Sequence, residues 1–91
     1  MKVIWKQQLA FMSSQSVLIP EDAEILSIQI QNGTLCFWYM CDQYSSVKKE
    51  RYFHIYGTGM TVLPDNGNET FLETVQAEDG HVWHVYESPI Y

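Results

Sequence analysis

Glu24-Ile25-Leu26-Ser27-Ile28-Gln29-Ile30-Gln31-Asn32-Gly33-Thr34-Leu35-Cys36-Phe37-Trp38-Tyr39-Met40-Cys41 is the stretch whose reading decides the fold. Leu26, Ile28 and Ile30 alternate with Ser27, Gln29 and Gln31, the period of two expected of a half-buried strand. Asn32-Gly33 follows. A two-residue type I′ turn needs positive φ at both positions, and this pair tolerates that better than any other. Thr34 to Cys41 is then the return strand. A two-residue loop also fixes the register: Gln31 lies opposite Thr34, Ile30 opposite Leu35, Ile28 opposite Phe37 and Leu26 opposite Tyr39. The face of the Ile30–Leu35, Ile28–Phe37 and Leu26–Tyr39 pairs is apolar on both strands and belongs to a core. The other face sets Gln29 against Cys36, Ser27 against Trp38 and Ile25 against Met40. A solvated face would not carry Cys, Trp and Met in succession, so cover is expected from another segment of the chain, from a second subunit or from a planar ligand.

Outward from the hairpin the pattern stays one of short strands. Lys2 to Leu9 is rich in β-branched and aromatic residues. Val17-Leu18-Ile19 is a short apolar run ended by Pro20, and Glu21-Asp22-Ala23 reads as a turn. Val47 to Tyr56 is a further strand, broken by Gly57-Thr58-Gly59. Pro64 to Asn68 is a polar turn. Thr70 to Val75 and His81 to Glu87 are the last two strands, with Glu78-Asp79-Gly80 between them. No window offers a convincing amphipathic helix. The reading is an all-β single domain over residues 1–91: a compact antiparallel β-sandwich or barrel of about six to seven short strands. In the last strand Val82, His84 and Tyr86 share one face and Trp83, Val85 and Glu87 the other. Neither face is polar throughout, as expected of a strand covered on both sides. Together with the Cys36, Trp38 and Met40 face, this predicts a homo-oligomer, a dimer or tetramer.

Composition narrows the function classes. The chain is 46% hydrophobic and 14% aromatic, too apolar for disorder and enough for one core. A net charge of -6 argues against duplex nucleic acid or an anionic membrane as a general partner, since both demand dense positive charge. Of the five basic residues, Lys48, Lys49 and Arg51 cluster and Lys2 and Lys6 stand apart. Cys36 and Cys41, five positions apart on one strand, point to opposite faces and lie roughly 16 Å apart. A disulfide requires Cα atoms within about 7 Å, so two free thiols and a reducing compartment are expected. Lys6, Gln7 and Gln8 interrupt the N-terminal stretch. No signal peptide or transmembrane segment is expected.

The residues offer little catalytic chemistry. His81 and His84, three apart on a strand, face opposite ways, and no third residue at metal-ligand spacing accompanies them. No serine sits in a nucleophile elbow. The expectation is a non-enzyme with no catalytic residues, no metal and no cofactor. One segment has the character of an anion site: Gly57-Thr58-Gly59 allows a tight turn whose N–H groups can converge on an anion, Arg51 can add charge, and Tyr56 and Trp38 can add flat surface. The wider choice of stacking rings is Trp5, Tyr39, Tyr52 and Trp83.

Ile4-Trp5-Lys6, Ile19-Pro20 with Ala23-Glu24-Ile25-Leu26-Ser27, Ile55-Tyr56-Gly57-Thr58-Gly59 and Val82-Trp83-His84-Val85-Tyr86-Glu87 occur in that order. As an ordered set spanning nearly the whole chain they resemble a widespread family of small bacteriophage- and prophage-encoded proteins known only as a domain of unknown function. Members often carry His after the Gly-Thr-Gly, where this chain has Met60. The resemblance implies a phage origin, action in the host bacterial cytoplasm and an accessory role against host antiphage immunity. The expected activity is sequestration of a nucleotide immune signal, such as a cyclic dinucleotide, held by Arg51, Tyr56, Gly57, Thr58, Gly59 and Trp38. The alternative is an acidic decoy that binds a host defence protein directly.

Overall fold

The computed structural model describes residues 1–62 and 68–89. Seven strands run in chain order: β1 Lys2–Leu9, β2 Ser14–Pro20, β3 Glu24–Gln31, β4 Thr34–Asp42, β5 Lys48–Gly57, β6 Thr70–Gln76 and β7 Val82–Ser88. They form two antiparallel sheets, one of order β1-β4-β3 (sheet A) and one of order β2-β5-β7-β6 (sheet B). This two-sheet sandwich resolves the choice between sandwich and barrel. Strand β2 is longer than the Val17 to Ile19 run and includes Pro20, which an edge strand tolerates because its outer N–H needs no ladder partner. The polar turn expected at Pro64 to Asn68 lies, apart from Asn68, outside the described residues.

The hairpin forms as its turn chemistry dictates. Asn32 has φ 53° and Gly33 φ 78°, the two positive angles of a type I′ turn. Gln31 pairs with Thr34, Ile30 with Leu35, Ile28 with Phe37, Gln29 with Cys36 and Ser27 with Trp38. Beyond Ser27 the register differs from the sequence reading. Ile25 pairs with Tyr39 and Glu24 with Met40, because an irregularity falls between Ile25 and Ser27. A bulge inserts one residue and reverses the inside-outside parity of everything beyond it. Leu26, expected opposite Tyr39 in the core, is therefore 46% exposed, and Ile25 packs against the core in its place.

The core lies between the sheets. Leu35, Phe37, Tyr39 and Cys41 of β4 meet Phe53 and Ile55 of β5 and Val85 of β7. The Phe37 and Phe53 ring centroids are 5.3 Å apart, a tilted contact that joins sheet to sheet. Cys36 and Cys41 are both buried and free. Burial raises the Cys41 thiol above its ordinary pKa. Strand β7 is an interior strand of sheet B; Val85 and Trp83 on one face join the core, and Tyr86 on the other packs against Tyr56 and Phe71. Among the described residues there is no helix, so none is long and apolar enough to cross a membrane.

Candidate functional site

Gly57 ends β5, and the Gly57-Thr58-Gly59 turn folds back on itself. Gly59 has φ 91°, a left-handed conformation natural to glycine. The turn spends most of its own donors. Thr58 N–H donates to the Val82 carbonyl at 3.1 Å and Met60 N–H to the Gly57 carbonyl at 3.0 Å. Gly57 N–H donates to Met60 Sδ at 3.0 Å. Gly57 is also a close approach: a Cβ there would stand 3.1 Å from Met60 Sδ and 3.4 Å from Trp83 Cζ3.

Behind the turn lies a polar cluster on the outer face of sheet B. His84 bridges two hydroxyls, with Nε2 2.9 Å from Thr58 Oγ1 and Nδ1 3.0 Å from Thr74 Oγ1. Neighbouring His54 Nδ1 is paired with Glu69 Oε1, both side chains almost fully buried. Tyr56 donates its hydroxyl to the same carboxylate oxygen at 3.2 Å. His54 Nε2 is buried with no partner among the described residues. The pairing ties Glu69 to strand β5 of sheet B. A cavity of about 200 Å³ lies beside it, lined by Tyr56, Thr58, Met60, Val62, His84 and Tyr86.

A larger aromatic cleft opens at the same end of the sandwich. Trp83 leaves β7 beside Gly57, its pairing partner. Its ring centroid is 5.2 Å from that of Phe11 and 6.0 Å from that of His81. Asp79 fixes His81, accepting its N–H at 3.0 Å and contacting Nδ1 at 2.8 Å. These His81 bonds, side chain first, hold the Asp79 carboxyl below its ordinary pKa. Two cavities meet at Trp83. One of about 460 Å³ is lined by Phe11, Ile30, Glu78, Asp79, His81 and Trp83. The other, about 570 Å³, runs from Trp83 and His81 to Gly57, Thr58 and Met60. Both are in the size range of small-molecule sites.

The structure brings together four of the six residues expected to hold a ligand: Tyr56, Gly57, Thr58 and Gly59. It separates the other two. Trp38 lies on the outer face of sheet A between Lys6 and Ser27. Arg51 lies on β5 six residues before Gly57, roughly 20 Å away along a strand. Its guanidinium is engaged there: Nε and Nη2 donate to the two carboxylate oxygens of Glu87, and Nη1 donates to the Ala23 carbonyl at 2.9 Å. Phe11, His81 and Asp79 went unrecognised because each lies in a loop or at a strand margin, where no periodicity marks it. Glu69 carries no signal in the sequence at all. Among the described residues, no three His, Cys, Asp or Glu side chains converge as metal ligands do.

The family model for a domain of unknown function, DUF7352, matches residues 1–90. The chain belongs to that family. No curated protein and no solved structure matches it.

Proposed function

We propose that this DUF7352 protein is a non-catalytic binding protein that stacks a planar ring of a small ligand against Trp83 and holds it without turning it over. The observation that carries the reading is the cleft itself: a half-buried indole flanked by Phe11 and His81, with a cavity of about 460 Å³ on one side and one of about 570 Å³ on the other. Flat aromatic walls take heteroaromatic bases of any sequence or substituent pattern. The phage resemblance supplies the biological setting, sequestration of a nucleotide immune signal in the bacterial host. Here Thr58, at the mouth of the second cavity, offers a hydroxyl to the ligand's polar part, while Arg51 serves the fold. Self-association is part of the proposal: Ile4 beside Met40 leaves apolar surface on the outer face of sheet A for a second copy.

Calorimetry or thermal shift against cyclic and linear nucleotides and their nucleosides tests the reading, with Trp83→Ala as the control. A ligand that stabilises the wild type and loses at least tenfold in affinity with Trp83→Ala supports it. Binding unaffected by that substitution refutes the site. Direct engagement of a host defence protein is the second reading, favoured by the exposed Ile4, Leu18 and Phe71 on an acidic chain. It predicts retention of a host protein on the immobilised chain after nucleotides have been removed.

A further inference from the structure

The cleft's charge narrows the class of ligand. Glu78 and Asp79 line the cavity on the Phe11 side of Trp83, and no Lys or Arg lines either cavity among the described residues. The cations are elsewhere. Arg51 is locked to Glu87. Lys48 and Lys49 begin β5, at the end opposite the Gly57 turn. Lys2 reaches Asp22. Lys6, on the outer face of sheet A, donates to Gln31 at 3.0 Å and does not line the cleft. The turn that could serve an anion has used the N–H groups of Gly57, Thr58 and Met60 internally. A ring seated on Trp83 therefore meets π-faces, the Glu78 carboxylate and the Asp79 carboxylate that holds His81, with the Thr58 hydroxyl lining the second cavity. Aromatic faces attract cations through the ring quadrupole, and the carboxylates add attraction for positive charge and repulsion for phosphate.

From this juxtaposition we infer that the Trp83 cleft selects a planar heteroaromatic ring that is cationic or uncharged, and discriminates against ligands bearing clustered phosphate charge. The inference rests on the ring-stacking reading of the cleft and specifies which rings it accepts. Nucleotide signals that fit are those whose exposed end is a base or a pyridinium ring, with any phosphate directed out of the cleft.

The experiment compares four probes by calorimetry at about 20 mM and about 500 mM salt, a range over which screening of exposed charges becomes nearly complete. The probes are the 1-methylnicotinamide cation, adenosine, adenosine monophosphate and adenosine triphosphate. At low salt the cation and the nucleoside should bind tightest. Each added phosphate charge should weaken binding by about twofold or more. Added salt should weaken the cation and strengthen the phosphates. The double variant Glu78→Gln, Asp79→Asn should narrow the gap between adenosine and its triphosphate at low salt. Both side chains are exposed, so the variant should fold. If the phosphorylated probes bind as tightly as adenosine at low salt, the charge selection is wrong while ring stacking stands. If none of the four binds, the stacking reading and the inference fall together.

Discussion

Replacing Arg51 with Ala separates two roles that its sequence context allows, ligand cation and structural bracket. In the structure it is a bracket. Arg51 projects from β5, grips Glu87 of β7 through both carboxylate oxygens, and reaches the carbonyl of Ala23 in the turn between β2 and β3. The two side chains are 19% and 23% exposed. A fully exposed pair would contribute about 0.2–1 kcal/mol, and truncating one partner of a fully buried pair costs about 3–5 kcal/mol. Partners exposed by about a fifth fall between these limits, near 2 kcal/mol, and the donor lost to Ala23 adds about 1 kcal/mol. The expected loss is therefore about 2–3 kcal/mol. For a domain of this size each 1 kcal/mol moves Tm by about 4–8 °C, so Arg51→Ala should melt at least about 8 °C below the wild type. Arg51→Lys should recover only part of this, because an ammonium cannot reproduce the paired geometry. Urea unfolding monitored by tryptophan fluorescence gives the free energy, and scanning calorimetry gives Tm. A loss below about 0.5 kcal/mol, the level of an unremarkable surface substitution, would refute the bracket. So would a variant of unchanged stability that no longer binds a ligand stacked on Trp83.

The bulge makes a paired prediction: Ile25→Ala should cost about 1–3 kcal/mol as a partly buried large-to-small change, whereas Leu26→Ala should stay within about 0.5 kcal/mol, and equal costs would contradict the register. Acid should unfold the protein through a specific set of turns. Hydrogen bonds from the backbone N–H groups of Asp42 and Tyr44 hold the Asp22 and Asp42 carboxyls below their ordinary range, and the His81 side chain does the same for Asp79. A depressed carboxyl contributes stability above its unfolded pKa, and that contribution is lost as pH falls through its folded value. Tm should then decline below about pH 4, less steeply in Asp22→Asn; an Asp22→Asn profile parallel to the wild type's would show that this turn contributes nothing to the decline.

How much the sequence determined by itself follows from the range of each signal. The alternation of Ile28, Ile30, Leu35 and Phe37 and the Asn32-Gly33 turn act between near neighbours, so the hairpin, its register near the turn and the all-β class were legible. The opposite faces of Cys36 and Cys41 followed from strand geometry alone. The bulge at Leu26 was not legible, because one inserted residue leaves an apolar run looking continuous while reversing which member points inward. The site divides in the same way. Gly57-Thr58-Gly59 announced a turn, since glycine's backbone freedom is a local property. Arg51 looked available because nothing near it in sequence is acidic except Glu50, and its partner Glu87 lies 36 positions away. Only the pairing of β5 with β7 sets that carboxylate beside it. The same pairing places Trp83 beside Gly57, and the packing of the loop after β1 adds Phe11. The cleft is a product of strand order, and residues 11, 57, 79, 81 and 83, which line it, have no common periodicity to reveal it before the chain folds.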